Sequence, residues 1–108
     1  MKQIKYTRST TNYLKQLVIA LLEKEYFVFD NNARKYVLDI KKFIESEIQK
    51  QQHKIAPVVF NKFGEDLKYI SYKRNKRTIW YIFFTEKKDH FIIEHITNNH
   101  VAAQHFIN

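Results

Sequence analysis

The segment "KYISYKRNKR" (residues 68–77) holds five cationic side chains, Lys68, Lys73, Arg74, Lys76 and Arg77, and no acidic one. Ammonium and guanidinium groups at this density bind phosphate through charge-assisted hydrogen bonds and counterion release. Tyr69, Tyr72 and the nearby Trp80 add rings on which bases stack when exposed. The same run also reads as a hairpin tip kept soluble by charge, which blunts edge pairing. Lys2, Lys5, Arg8 and Lys15 form a second basic group. The two groups merge into one positive surface only if an N-terminal strand brings them together.

Histidine is the other reactive group. His90, His95, His100 and His105 lie near the C-terminus, and imidazole suits proton transfer near neutral pH. His90 falls in a turn, and His95 on a strand, sharing a face with Phe91 and Ile93 in a half-buried structural role. His100 and His105 follow the last strand, where side chains on loops reach a groove held still by the sheet, and they are the acid–base candidates. The five-residue spacing does not put the histidines on one helical face, and no HExxH or HxH pattern occurs, so no metal is expected. Glu65, Asp66 and Glu94 are the acids near the expected sheet. Glu94, alternating with Ile92 and Ile96, either acts as a base or neutralises a lysine. Gly64 is the only glycine and is expected to take a backbone shape other residues resist. There is no Walker pattern to hydrolyse a nucleotide, and no cofactor is expected.

These groups need a scaffold, and 108 residues with 44% hydrophobic content suffice for one compact domain spanning residues 1–108. Net charge is +8 and the pI near 9.7, an imbalance that attracts RNA, DNA, anionic membrane or an acidic protein segment. Without cysteine there is no disulfide, thiolate chemistry or cysteine-bound zinc, and a reducing, cytoplasmic location is the default. The start of the chain lacks a signal-peptide stretch and no apolar run reaches the ~18 residues of a membrane span, so a soluble protein is expected.

"QIKYT" (3–7) alternates like a strand. A helix follows over about 10–27, capped by Ser9, Thr10 or Thr11, with Leu14, Leu17, Val18, Leu21, Leu22 and Tyr26 on its apolar face. Asp30, Asn31 or Asn32 caps a second helix that runs to about residue 54, before Pro57. Three strands are expected over about 67–73, 78–85 and 90–97, the continuous apolar run of the middle one marking it as central. "HVAAQHFIN" supplies a short closing helix. The helical hairpin must bury its apolar stripe on a sheet face, which gives a two-layer α+β domain with a mainly antiparallel four-stranded sheet.

This order of elements, the size and the basic hairpin resemble the RelE/ParE superfamily of bacterial toxins from type II toxin–antitoxin modules. "RTIWYIFF" is similar to the family's Tyr-Arg-x-x-Tyr central strand, and "FIIEHITNNHVAAQHF" to its last strand, following basic residue and closing helix. The resemblance implies an mRNA interferase that cuts RNA by attack of a 2′-OH on the adjacent phosphate, usually in the ribosomal A site, or a ParE-like toxin that poisons DNA gyrase. It implies a cognate antitoxin as partner, with mRNA and the ribosome, and no membrane. Carried onto this chain, it points to Lys73, Arg77, His100 and His105 for catalysis, and to Lys68, Tyr72, Lys73, Arg74, Lys76 and Arg77 for nucleic-acid binding. The family's arginine stands three residues before the strand tyrosine, where this chain has Thr78, with Arg77 one place early. A basic module that docks RNA or an acidic peptide without chemistry is the alternative from another class.

Overall fold

The computed structural model describes residues 2–23 and 30–102. In chain order it contains β1 (Gln3–Tyr6), α1 (Arg8–Glu23), α2 (Asp30–Glu47), β2 (Lys54–Ile55), a 3-10 helix (Val58–Phe63), β3 (Lys68–Lys73), β4 (Ile79–Glu86), β5 (His90–Asn98) and α3 (Asn99–Ala102). The class is α+β. The sheet has five strands rather than four, in the order β1-β5-β4-β3-β2, and it is mixed: β1 runs parallel to β5 and the other pairs are antiparallel. The added strand, β2, is two residues long and pairs with the start of β3. No helix among the described residues is long and apolar enough to cross a membrane.

Both helix boundaries differ from the expected ones, and side-chain hydrogen bonds explain why. Thr7 Oγ1 accepts the Thr10 N–H at 3.1 Å, so Thr7 is the cap and α1 starts at Arg8. Thr10 is a buried anchor whose hydroxyl donates to the Ile93 carbonyl at 3.1 Å. The expected end of this helix, with Tyr26, lies outside the described residues. The second helix ends at Glu47, short of residue 54. His53 folds back so that its Nε2–H donates to the Ile48 carbonyl, satisfying an acceptor orphaned at the helix end. Its ring meets Phe84 and Phe91 edge-on, at 4.8 and 5.9 Å between centroids.

Alternation along β4 divides the molecule. Trp80, Ile82 and Phe84 point toward α1 and α2 and meet Leu14, Val37, Ile40 and Ile44 in the larger core. Ile79, Tyr81 and Phe83 point the other way, where Ala56, Phe60, Phe63 and Ala102 cover them. Burial on both faces is why this central strand reads as a continuous apolar run. The two expected layers therefore gain a thin third cover from the 3-10 helix and α3.

A β-bulge corrects the expected placement of His95. Phe83 pairs with His95 but Phe84 pairs with Ile93, so Glu94 is an extra residue on β5. The inserted residue resets the alternation, sending His95 to the face opposite Phe91 and Ile93, where it stacks on Phe63 at 4.0 Å and 7°. Glu94 accepts the Thr85 hydroxyl at 2.8 Å beside Gly64. Gly64 is itself extended, at φ 162 and ψ 158, so its role is close approach: a Cβ there would lie 2.9 Å from Thr85 Cγ2. The left-handed residue before β3 is Asp66, at φ 52, and Asp tolerates that conformation better than most side chains.

On the outer side of β3, the Gln51 side-chain amide pairs with both backbone groups of Ser71. It accepts from the N–H at 2.8 Å and donates to the carbonyl at 3.1 Å.

Candidate nucleic-acid interface

The β3–β4 hairpin closes on its own side chains. Arg74 N–H donates to the Thr78 carbonyl at 2.9 Å, and Asn75 Oδ1 accepts from the N–H groups of both Arg77 and Thr78 at 2.9 Å. Asn favours this local bonding because its short amide reaches backbone two or three residues ahead. The turn leaves Lys76 and Arg77 exposed at the tip.

The end of β5 is fastened to this hairpin. Asn98 Oδ1 caps α3 by accepting from His100 N–H at 2.9 Å and Val101 N–H at 3.2 Å. Asn99 bridges the strands: its Oδ1 accepts from Ile79 N–H at 2.9 Å and its Nδ2 donates to the Arg77 carbonyl at 3.0 Å. The ring of His100 then reaches Thr78, with Nε2 3.0 Å from Oγ1. Four of the sequence candidates, Lys73, Lys76, Arg77 and His100, thus share one end of the sheet. Lys73 is exposed and pairs with Ile79, which places it on the face of Tyr69 and Ser71.

Other candidates are elsewhere. Arg74 turns to the helix side, where its guanidinium donates to Asp39 at 2.8 Å and to the Tyr72 hydroxyl at 3.2 Å and lies 4.3 Å from the Tyr36 ring centre. The hydrogen bond from Arg74, with Lys35 adding to it, holds the Asp39 carboxyl below its ordinary value of 3.8. Tyr72 stacks on Phe43 at 4.4 Å and 17°, and Trp80 is buried and donates its N–H to Tyr36 at 3.0 Å. Of the three rings considered for base stacking, Tyr69 alone lies on the second face, half-buried beside Tyr81 at 5.9 Å. Burial raises the pKa of both phenols, so each remains a hydrogen-bond donor at neutral pH.

Lys68 opens β3, five residues and ~17 Å from Lys73 at ~3.3 Å per residue. It faces the helix side near Glu86, whose carboxyl is held low first by Lys2. The two basic groups do not merge at the hairpin tip, and only Lys68 approaches the second group, across Glu86, which Lys2 also binds. β1 pairs with residues His90–Ile93, the half of β5 far from the hairpin, with β5 and β4 between it and β3. His105 lies outside the described residues. His95 sits among Phe60, Phe63 and Phe83, and burial, then the Lys62 charge, pulls its pKa below 6.5. Among the described residues no three His, Cys, Asp or Glu are grouped to hold a metal.

Sequence reasoning missed Thr78, Asn98 and Asn99. The dipeptide "NN" directly after a strand and before a short helix is a capping signal that pointed to Asn98. The Asn99 bridge depends on the tertiary pairing of β4 with β5. Chemically, three exposed cations at the same end of the sheet as an imidazole bonded to Thr78 are the groups needed to hold a phosphodiester and move a proton beside it. No family model, curated protein or solved structure matches this chain.

Proposed function

We propose that this protein is the toxin of a type II toxin–antitoxin module, a RelE-like mRNA interferase. The observation that carries the reading is the junction at which Asn99 bonds the Arg77 backbone carbonyl and Thr78 bonds the His100 ring, at the root of an exposed basic hairpin. In the proposed reaction the 2′-OH of one nucleotide attacks the adjacent phosphorus, and the P–O5′ bond breaks. A proton leaves the attacking oxygen and another reaches the departing one. Lys73 and Lys76 hold the phosphate, Arg77 offsets the charge that grows on its oxygens, and His100 Nε2 transfers a proton. His105 is the second proton-transfer group implied by the family resemblance. The cognate antitoxin and the ribosome are the proposed partners, and the cytoplasm the proposed location.

Support from the fold lies in the N-terminal strand joined to the sheet, the helical hairpin on one face, and the basic turn between antiparallel strands. β2 adds to that pattern without disturbing it.

Inducible expression in bacteria, with primer extension on a translated mRNA and plasmid topology from the same culture, tests the reading. Growth arrest with new mRNA ends inside codons, lost on Arg77→Ala or His100→Ala by about 100-fold or more, is expected. Unchanged toxicity in both variants removes the site. Arrest with altered supercoiling and intact mRNA moves the target to DNA gyrase, the ParE-like reading that the helical hairpin favours. Salt-sensitive RNA binding without cleavage or arrest makes the chain a binding module.

A further inference from the structure

Thr78 is the residue at which the hairpin meets the end of β5, and its backbone is held on both sides. Asn75 Oδ1 accepts its N–H at 2.9 Å, and its carbonyl accepts the Arg74 N–H at 2.9 Å. His100 is held through its own N–H, by Asn98 Oδ1 at 2.9 Å. Both backbones are thus fixed by bonds other than the one between the two side chains. That bond, with Thr78 Oγ1 and His100 Nε2 3.0 Å apart, joins a hydroxyl to an imidazole at the surface, with the exposed Arg77 next to Thr78 in the chain.

We infer, on the ribonuclease reading proposed above, that Thr78 is a catalytic residue whose hydroxyl relays a proton between the substrate 2′-OH and His100. A ring nitrogen forms one hydrogen bond in the ring plane, through either its hydrogen or its lone pair, and at Nε2 the Thr78 hydroxyl fills that place. A hydroxyl oxygen offers more, because it donates one hydrogen and accepts two. Oγ1 can therefore give to Nε2 and receive from a 2′-OH at once. As the bond from the 2′ oxygen to phosphorus forms, the 2′ proton passes to Oγ1 and the hydroxyl's own proton passes to Nε2. The P–O5′ bond breaks and the departing oxygen takes a proton from a second acid or from water. The imidazolium then returns its proton to solvent, and Thr78 ends unchanged. Branching at Cβ restricts χ1 of threonine, which limits the entropy lost in keeping the hydroxyl on the ring.

The test is single-turnover cleavage of a translated mRNA on purified ribosomes, read at saturating protein so that a change in RNA affinity does not enter. Thr78→Val, which keeps the side-chain shape and the backbone bonds, and His100→Ala each slow cleavage about 100-fold. The double variant is no slower than either, because one path carries the proton through both residues. Thr78→Ser, which keeps the hydroxyl and loses the branch, recovers the rate to within about tenfold of the parent. A double variant about tenfold or more slower than Thr78→Val shows His100 working without the hydroxyl and overturns the relay. Full rate in Thr78→Val overturns it too and leaves the ribonuclease reading standing. A Thr78→Ser variant as slow as Thr78→Val does the same, by assigning the loss to the missing methyl. No cleavage by the parent chain removes the ribonuclease reading and the relay together.

Discussion

The Arg74 guanidinium donates to Asp39 at 2.8 Å and so joins the root of the basic hairpin to the middle of α2. Of the neighbouring cations it is a structural one. Arg74→Ala is expected to lower the unfolding free energy by about 1–2 kcal/mol, the value of a charge-assisted hydrogen bond with a cation–π contact. Lys76→Ala and Arg77→Ala, at exposed positions, should change it by no more than about 0.5 kcal/mol. The order reverses for affinity to single-stranded RNA: each tip variant should lower the salt slope by about one phosphate contact. Urea unfolding and a salt titration separate the two roles.

Asn99 is predicted to be a positioning residue. Asn99→Ala deletes its bonds to Ile79 and Arg77 and leaves the Ile79 N–H without its partner, at a cost of about 1–3 kcal/mol. Toxicity should fall with Arg77 and His100 still present. Asn99→Asp keeps the acceptor for Ile79 but sets a carboxylate oxygen against the Arg77 carbonyl, so it should restore part of the stability and little of the activity. Full activity in Asn99→Ala would sink the positioning role.

Acid should act on the second face before it acts on Asp39. Burial depresses the pKa of His95 from 6.5, so as pH falls the unfolded chain takes up that proton first. The stability linked to His95 is full above about pH 6.5 and is lost as pH drops toward the lower folded value. His95→Phe should flatten this limb of a stability–pH curve. The limb from Asp39, whose depressed pKa gives stability above its ordinary 3.8, should persist in the variant and disappear in Asp39→Asn.

The Tyr6 hydroxyl is buried with no hydrogen-bond partner among the described residues, and burial with the nearby Glu45 charge pushes its pKa up to about 12. An unsatisfied buried hydroxyl costs about 1–3 kcal/mol, which removing it recovers. Tyr6→Phe should therefore raise the melting temperature. A lower one would show that the hydroxyl is bonded in solution.

Much of the sheet was legible because strand periodicity is local. β3, β4 and β5 fall within one or two residues of the expected spans, and the apolar run of β4 marked the central strand. What strict alternation could not show is the insertion at Glu94, which moved His95 to the other face. Nor could charge alone separate Arg74 from Arg77, three residues away, because only the approach of α2 supplies Asp39. Thr7 was read as the end of a strand when its hydroxyl also starts a helix. β2 escaped notice because two residues carry no period.

The bidentate grip of Gln51 on Ser71 has a consequence for solubility. β2 covers β3 at Lys68 and Tyr69 only, so Ser71 would otherwise offer a bare donor and acceptor to any extended chain nearby. An aromatic, β-branched segment with such an open rim is prone to recruit copies of itself into fibrils. The glutamine amide imitates one residue of a missing neighbour and cannot be extended, so growth of the sheet past β3 is blocked at Ser71 by the chain's own side chain.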